Sequence, residues 1–250
     1  MAAPETLIPD ARKEVLAAAA EKRFSCRKFE SRELTSAEWS TLSYLCGRCA
    51  LPGVRLIPLR CDEGLFGMPL VHRPMIRGVK TCVALVIDED GQQSRLFAGC
   101  SGELLVLELT LMGIGTCWVT GTFRRSRAEE KARVGGESRL IGLIAAGSPA
   151  AAQGTRKRKL LREICASDPT GWAEGPRRAA ELVRLAPSAL NLQPWRISVE
   201  PTRLILDADS HNPRTALDVG IALCHAELAC AGSHTWRFAS SADEPYCWAE

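Results

Sequence analysis

No uninterrupted apolar run in this sequence approaches the length of a membrane span, and the most apolar helical stretch is broken by Glu108. The start, MAAPETLIPDARKEV, carries early acidic residues and no basic-then-apolar signal region, so neither export nor a membrane partner is expected. Histidine is scarce. His72, His211, His225 and His234 show no metal-ligand spacing, no Ser-His-Asp arrangement follows from the sequence, and no metal is expected. His225 lies in an apolar helical pattern, where a satisfied core histidine is the simpler reading. The cysteines lack a framework. There are 11, an odd number without regular spacing in a chain too long to need staples, which predicts reduced, mostly buried thiols in the cytoplasm. Cys46-Gly-Arg-Cys49 is a lone CxxC, late in a helix, with no second pair or nearby histidine to complete a zinc site; a structural role fits it best. A strong charge of either sign is absent too. With a net charge of +3 and scattered arginines, nothing marks a nucleic-acid partner. A small phosphorylated ligand needs only two or three well-placed arginines and stays compatible.

What is present is a globular composition: 250 residues, 46% hydrophobic and 24% charged, enough for a full core in one large domain or two small ones. Helices are expected over Ala11–Lys22, from a Thr35/Glu38 capping box to about Cys46, over Gly102–Met112, over Arg177–Leu185 and over Ala216–Ala231. Strands are expected at Val54–Leu59, Thr81–Asp88, Arg139–Ala146, Arg196–Val199 and Arg203–Asp207. Between them, GSPAAAQGTRKRK is small, polar and basic, the best linker candidate. The order of elements then recurs. Placing SGELLVLELTLMGIGTCW over VGIALCHAELACAGSHTW pairs Gly102 with Gly220, Leu105 with Leu223 and Trp118 with Trp236 without a gap, which favours an internal duplication over chance likeness of two buried helices.

Three stretches could carry chemistry. In RFSCRKF, an extended backbone would turn Arg23, Ser25 and Arg27 to one side, two guanidinium forks and a hydroxyl suited to a phosphate. Taken alone, a solvated basic turn describes the triplet more simply. GIGTCWVTGTF, Gly113 to Phe123, would let backbone approach a flat ligand. It lacks the third glycine of a dinucleotide fingerprint and follows a helix, so that fold is rejected; a helix C-cap explains Gly113 or Gly115 but not Gly121. APSALNLQPWR offers Ser188, Asn191 and Gln193 as donors and acceptors for the rim of a heteroaromatic ring, or for the loop's own backbone.

Together these stretches resemble the FMN-dependent nitroreductase superfamily. The residues concerned are Arg23-Phe24-Ser25-Cys26-Arg27, Gly115-Thr116-Cys117-Trp118 with Gly121-Thr122-Phe123, and Ala186-Pro187-Ser188, Asn191 and Gln193-Pro194-Trp195-Arg196. Asp218-Val219-Gly220-Ile221-Ala222, Cys224-His225 and Glu227-Leu228 are similar to the subgroup in which two nitroreductase-like halves are fused in one polypeptide. The resemblance implies an α+β fold of two tandem α/β half-repeats, with mixed sheets and buried central helices, forming an intramolecular pseudo-dimer. The halves would be residues 1–148 and 161–250, joined by a linker at 149–160, in a chain acting as a monomer.

It also implies that Arg23 and Ser25 hold the FMN phosphate, extended by Arg158, while Arg27 reaches the ribityl chain or the pyrimidine side of the ring. Thr116, Cys117 and Trp118 would line the glycine-rich turn, and Thr120 and Gly121 would place a backbone N–H near flavin N5. Pro187, Ser188 and Asn191 would close the site from the second half, supported by Gln193 and Trp195. NAD(P)H would deliver hydride and leave, and a nitroaromatic, quinone or similar small-molecule acceptor would follow in a ping-pong cycle, with no side chain required as acid or base. The first-half counterpart of the loop, CALPGVRLIPL, has lost the Ser, Asn, Gln and Trp, so one site per chain is expected. The alternative is a non-catalytic scaffold, with or without flavin, built on the same fold.

Overall fold

The computed structural model describes residues 7–62, 64–66, 76–151, 156–230, 232, 234–241 and 243–250. His72, part of the expected linker and the last residue of the expected Ala216–Ala231 helix lie outside them. Alanine-rich α1 (Asp10–Lys22) buries Leu16, Ala17, Ala19 and Ala20. The capping box starts α2 (Ser36–Cys49) as expected: Glu38 N–H donates to Thr35 Oγ1 at 3.2 Å and Thr35 N–H to Glu38 Oε2 at 2.8 Å. Then come β1 (Val54–Arg60), β2 (Thr81–Ile87), α3 (Gln92–Leu111), β3 (Gly115–Val119), α4 (Arg125–Lys131) and β4 (Arg139–Gly147). After a short α5 (Leu161–Ile164) and α6 (Glu174–Leu185), the chain forms β5 (Trp195–Glu200), β6 (Arg203–Ala208), α7 (Pro213–Glu227), β7 (Trp236–Phe238) and β8 (Cys247–Ala249).

Two four-stranded sheets result, ordered β1-β2-β4-β3 and β5-β6-β8-β7. The mixed sheets expected from the sequence are not found, because every neighbouring pair is antiparallel. The physical reason is an insertion. β2-α3-β3 is a crossover between strands of like direction, but β4 slots between them and pairs antiparallel with both; β8 does the same between β6 and β7. β2 is buried on both faces, between the main core and a smaller cluster around Phe29, Phe66 and Phe123, which accounts for its unbroken apolar run.

The long helices α3 and α7 cross at the centre. A Cβ on Gly99 would lie 2.2 Å from Leu217 O, and one on Gly220 would lie 2.1 Å from Leu96 O, so only glycine permits this approach. The two contacts are reciprocal. Gly99, not Gly102, is the counterpart of Gly220 at the crossing; Gly102 instead accommodates the Trp118 ring, 2.4 Å from where its Cβ would stand. Gly99 stands three residues from the Gly102 that the sequence alignment pairs with Gly220, close enough to one helical turn to keep apolar positions in phase. No helix among the described residues is long and apolar enough to cross a membrane.

Candidate functional site

The site begins where α1 stops. Arg23 closes the helix with its N–H on Ala19 O at 2.8 Å and turns its side chain inward, leaving it 2% exposed. The next residues run beside β3: Cys26 N–H donates to Thr116 O at 2.8 Å and Ser25 forms a parallel bridge with Thr116. Inside, Arg23 Nη2 donates to Leu185 O at 3.3 Å, and Nε lies 3.4 Å from Glu103 Oε1 without hydrogen-bond geometry. Glu103 is fully buried on α3 and accepts from Trp118 Nε1 on Oε2 at 2.9 Å; His225 Nε2 lies 3.0 Å from Oε1, the oxygen that Arg23 faces, so three elements meet on one carboxylate.

Two arginines from the RKRK run complete the cluster. Arg158 donates to Asn191 Oδ1 at 2.8 Å and to Leu185 O at 3.1 Å, while Arg156 donates to Ala20 O at 3.0 Å and to Glu21 O. Burial, then the charges of Arg23 and Arg156, push the Arg158 guanidinium down to about 10. Burial lowers Arg156 too, with Arg23 and Arg184 adding repulsion. Among the described residues, Glu103 is the buried acid that offsets this group, in which Arg23, Arg156 and Arg184 all repel Arg158. The buried Nε atoms of Arg23 and Arg158 have no hydrogen-bond partner. Cationic donors with unused N–H groups in one place have the chemistry to receive an anion.

The loop after α6 bears on the same place under strain. Leu190, Asn191 and Gln193 all have left-handed backbones, with φ of 52°, 58° and 48°, each costing about 1–2 kcal/mol for a residue with a Cβ. Ser188 Oγ accepts from Gln193 N–H at 2.8 Å, and Gln193, itself buried, accepts from Lys159 N–H at 3.0 Å. Ser188 and Gln193 thus spend polar groups on the loop and the linker. Asn191 also donates to Lys157 O at 3.2 Å. Ala189 N–H donates to Asp218 Oδ1 at 3.0 Å; burial nonetheless pushes that carboxyl up to about 6. Pro187 is buried, and Trp195 is 1% exposed beneath the loop.

Of the glycine-rich stretch, Gly115–Val119 is a strand, with a turn before it and bends after it. Gly113, φ 73°, makes the helix end, and β3 carries Thr116 and Cys117 into the interior. Burial raises the Cys117 thiol to about 11, with Arg27 opposing. Thr120 is half-buried and Gly121 exposed, with open space where a Cβ would stand. They follow the last residue of β3. Arg27 is exposed, unlike Arg23. Glu103 and Arg184 carry no signal in the sequence as members of the cluster; Arg156 lies in the basic run of the linker, a solvated face that could add to a phosphate site. A cavity of ≈ 750 Å³ between α1 and α6, lined in part by Ala17, Leu182 and Arg184, lies beside this cluster.

The profile of the family described as "Putative TM nitroreductase" matches residues 15–230. A solved structure described as a "putative nitroreductase" from Thermotoga maritima MSB8 is 23% identical, covers 94% of this chain and 92% of its own, and superposes with a TM-score of 0.65. A nitroreductase with bound FMN from Desulfitobacterium hafniense DCB-2 is 13% identical, with 58% of this chain and 94% of its own covered, at a TM-score of 0.48. No curated protein matches the sequence significantly. The fold agrees with the Thermotoga structure over nearly the whole of both chains, and the family profile spans both sheets' central helices. The chain belongs to this nitroreductase family.

Proposed function

We propose that the chain is an FMN-dependent oxidoreductase with one flavin site, taking hydride from NAD(P)H and passing it to a nitroaromatic, quinone or similar acceptor in a ping-pong cycle. The observation that carries this reading is the buried arginine cluster with its unpartnered Nε atoms on Arg23 and Arg158. The phosphate of FMN fits it, because a phosphate monoester brings up to two negative charges and several acceptor oxygens to donors that otherwise repel one another. Arg23 and Arg158 would hold that phosphate with Ser25, inside the field of Arg156 and Arg184. Bound flavin would supply the two-electron chemistry. Backbone N–H groups at Thr120 and Gly121 would face its ring across the open ground at Gly121, with Thr116, Cys117 and Trp118 along the strand between. Arg27 would serve the ribityl chain or pyrimidine edge, and Pro187, Ser188 and Asn191 would close the pocket on a loop whose strain suits a functional site.

The reciprocal Gly99–Leu217 and Gly220–Leu96 contacts and the matched strand orders support tandem halves, 1–148 and 161–250, joined at 149–160 as a pseudo-dimer within a monomer. Such reciprocity is the signature of a two-fold interface. Eleven free cysteines suit the reducing cytoplasm. The test is reconstitution with FMN, reading bound flavin by absorbance and NAD(P)H oxidation with a nitroaromatic and a quinone. One flavin per chain with turnover is expected. A protein that stays colourless sinks the reading, and bound flavin without turnover on any donor-acceptor pair favours the scaffold alternative.

A further inference from the structure

We propose a second site, for a divalent transition metal with the ligand chemistry of zinc, formed by Glu227, Cys230 and His234 at the C-terminal end of α7. One ligand atom from each residue lies within 4.8 Å of the other two. An ion centred in a triangle of that size stands at most about 2.8 Å from each atom, and sub-ångström side-chain shifts close this to zinc-ligand distances of roughly 2.0–2.3 Å. Thiolate, imidazole and carboxylate together match a borderline-soft ion.

The surroundings are those of a ligand set. His234 Nδ1 contacts Gly232 O at 3.1 Å, the backbone contact that fixes a metal-binding imidazole and aims its other nitrogen at the ion. That other nitrogen, Nε2, lies 2.7 Å from Glu227 Oε2. Trp236 Nε1 donates to the same oxygen at 2.7 Å, orienting the carboxylate from outside. Glu227 is fully buried, and its Oε1 has no hydrogen-bond partner, although Lys13 Nζ forms an ion pair with it at 2.9 Å.

Lys13 does not close the site. It holds Oε1, so the ion takes Oε2, and Asp10, 2.8 Å from the ammonium, balances it. With Lys13 paired to Asp10, Glu227 and a Cys230 thiolate leave two negative charges for a divalent ion. Coordination displaces the Cys230 thiol proton and any proton on His234 Nε2 to solvent. Solvent would take the fourth position. None of the three ligands belongs to the arginine cluster, so this site stands or falls apart from flavin binding.

The test uses the purified full-length chain stripped of metal, titrated with Zn²⁺ against a chromophoric chelator, with Co²⁺ as a spectroscopic probe. One ion per chain is expected, with a thiolate-to-Co²⁺ charge-transfer band. Cys230→Ser and His234→Gln should each weaken Zn²⁺ binding by about 100-fold or more, abolish the Zn²⁺-induced rise in unfolding temperature and leave flavin content unchanged. Absence of the band, or the same affinity in both variants as in the parent chain, overturns the proposal, since the ion would then sit on other cysteines or nowhere.

Discussion

Two buried glutamates on the two central helices have almost the same neighbours and opposite surroundings. Glu103 accepts from the indole of Trp118, faces His225 Nε2 and pairs with Arg23. Glu227 accepts from the indole of Trp236, faces His234 Nε2 and pairs with Lys13. Neither is exposed. Around Glu103 the surplus is cationic, with Arg156, Arg158 and Arg184 acting on one another; around Glu227 the further charge is the carboxylate of Asp10, with the Cys230 thiol, held neutral by burial, close by. A buried carboxylate with one indole, one imidazole and one cation is thus a neutral hub, and the charges around it decide whether it attracts an anion or a cation.

The largest expected effects come from neutralising the hubs. Glu103→Gln leaves the buried Arg23 cation without its carboxylate, at a cost of about 3–5 kcal/mol; Glu227→Gln costs less, because Lys13 keeps Asp10. The two variants should diverge when sulfate or phosphate is added at constant ionic strength. An anion on Arg23 and Arg158 restores part of the stability of Glu103→Gln and none of that of Glu227→Gln. Urea unfolding measures both, and equal responses to the anion would erase the contrast between the two ends.

Asp218, which holds the strained loop on the anion side, gives the next effect. Its folded-state pKa is raised to about 6 from 3.8 by burial, so the folded chain binds this proton more tightly than the unfolded one. Stability is fully present below the unfolded value and falls as pH rises from about 4 to 6, by up to about 3 kcal/mol. Asp218→Asn keeps an acceptor for Ala189 and should flatten that slope. An unchanged pH profile in the variant would place the titration elsewhere. Smaller again is the loss at the anion site itself. Arg23→Ala should weaken FMN binding about 10–100-fold by removing a charge-assisted contact, while Cys230→Ser at the opposite hub should not; titration of apoprotein by flavin fluorescence separates them.

The sequence made some of this readable and hid the rest for physical reasons. The capping box of α2 and the double-sided burial of β2 are local signals, and both elements stand close to their expected limits. β3 is hidden because Gly113 and Gly115 at its start read as a turn, and β7 and β8 are too short to show a period. The antiparallel sheets could not be foreseen from the order of elements, since inserting β4 and β8 is a tertiary choice. At the candidate site, Arg23 and the 187–195 loop are legible because polar groups cluster there in sequence. Glu103 gave no such signal, as its partners Trp118 and His225 reach it only in the fold. Arg156 sat in a charge run that reads as a solvated face, and only its burial beside Arg23 shows otherwise.

The smallest effect is expected where a redox motif is most visible. Cys46 and Cys49 lie on the buried side of α2, and burial pushes the Cys46 thiol up to about 12 and the Cys49 thiol higher still. Thiols so held have almost no thiolate at neutral pH, and thiolate is the reactive form. Neither hub lends them a stabilising cation; Glu108 and neighbouring cysteines raise Cys49 further, against only Arg48. Replacing both with Ser should therefore leave NAD(P)H oxidation within about twofold, while each buried hydroxyl costs roughly 1 kcal/mol of stability. Loss of turnover with flavin still bound would mean that electrons pass through these sulfurs. The chemistry would then belong to neither charged hub.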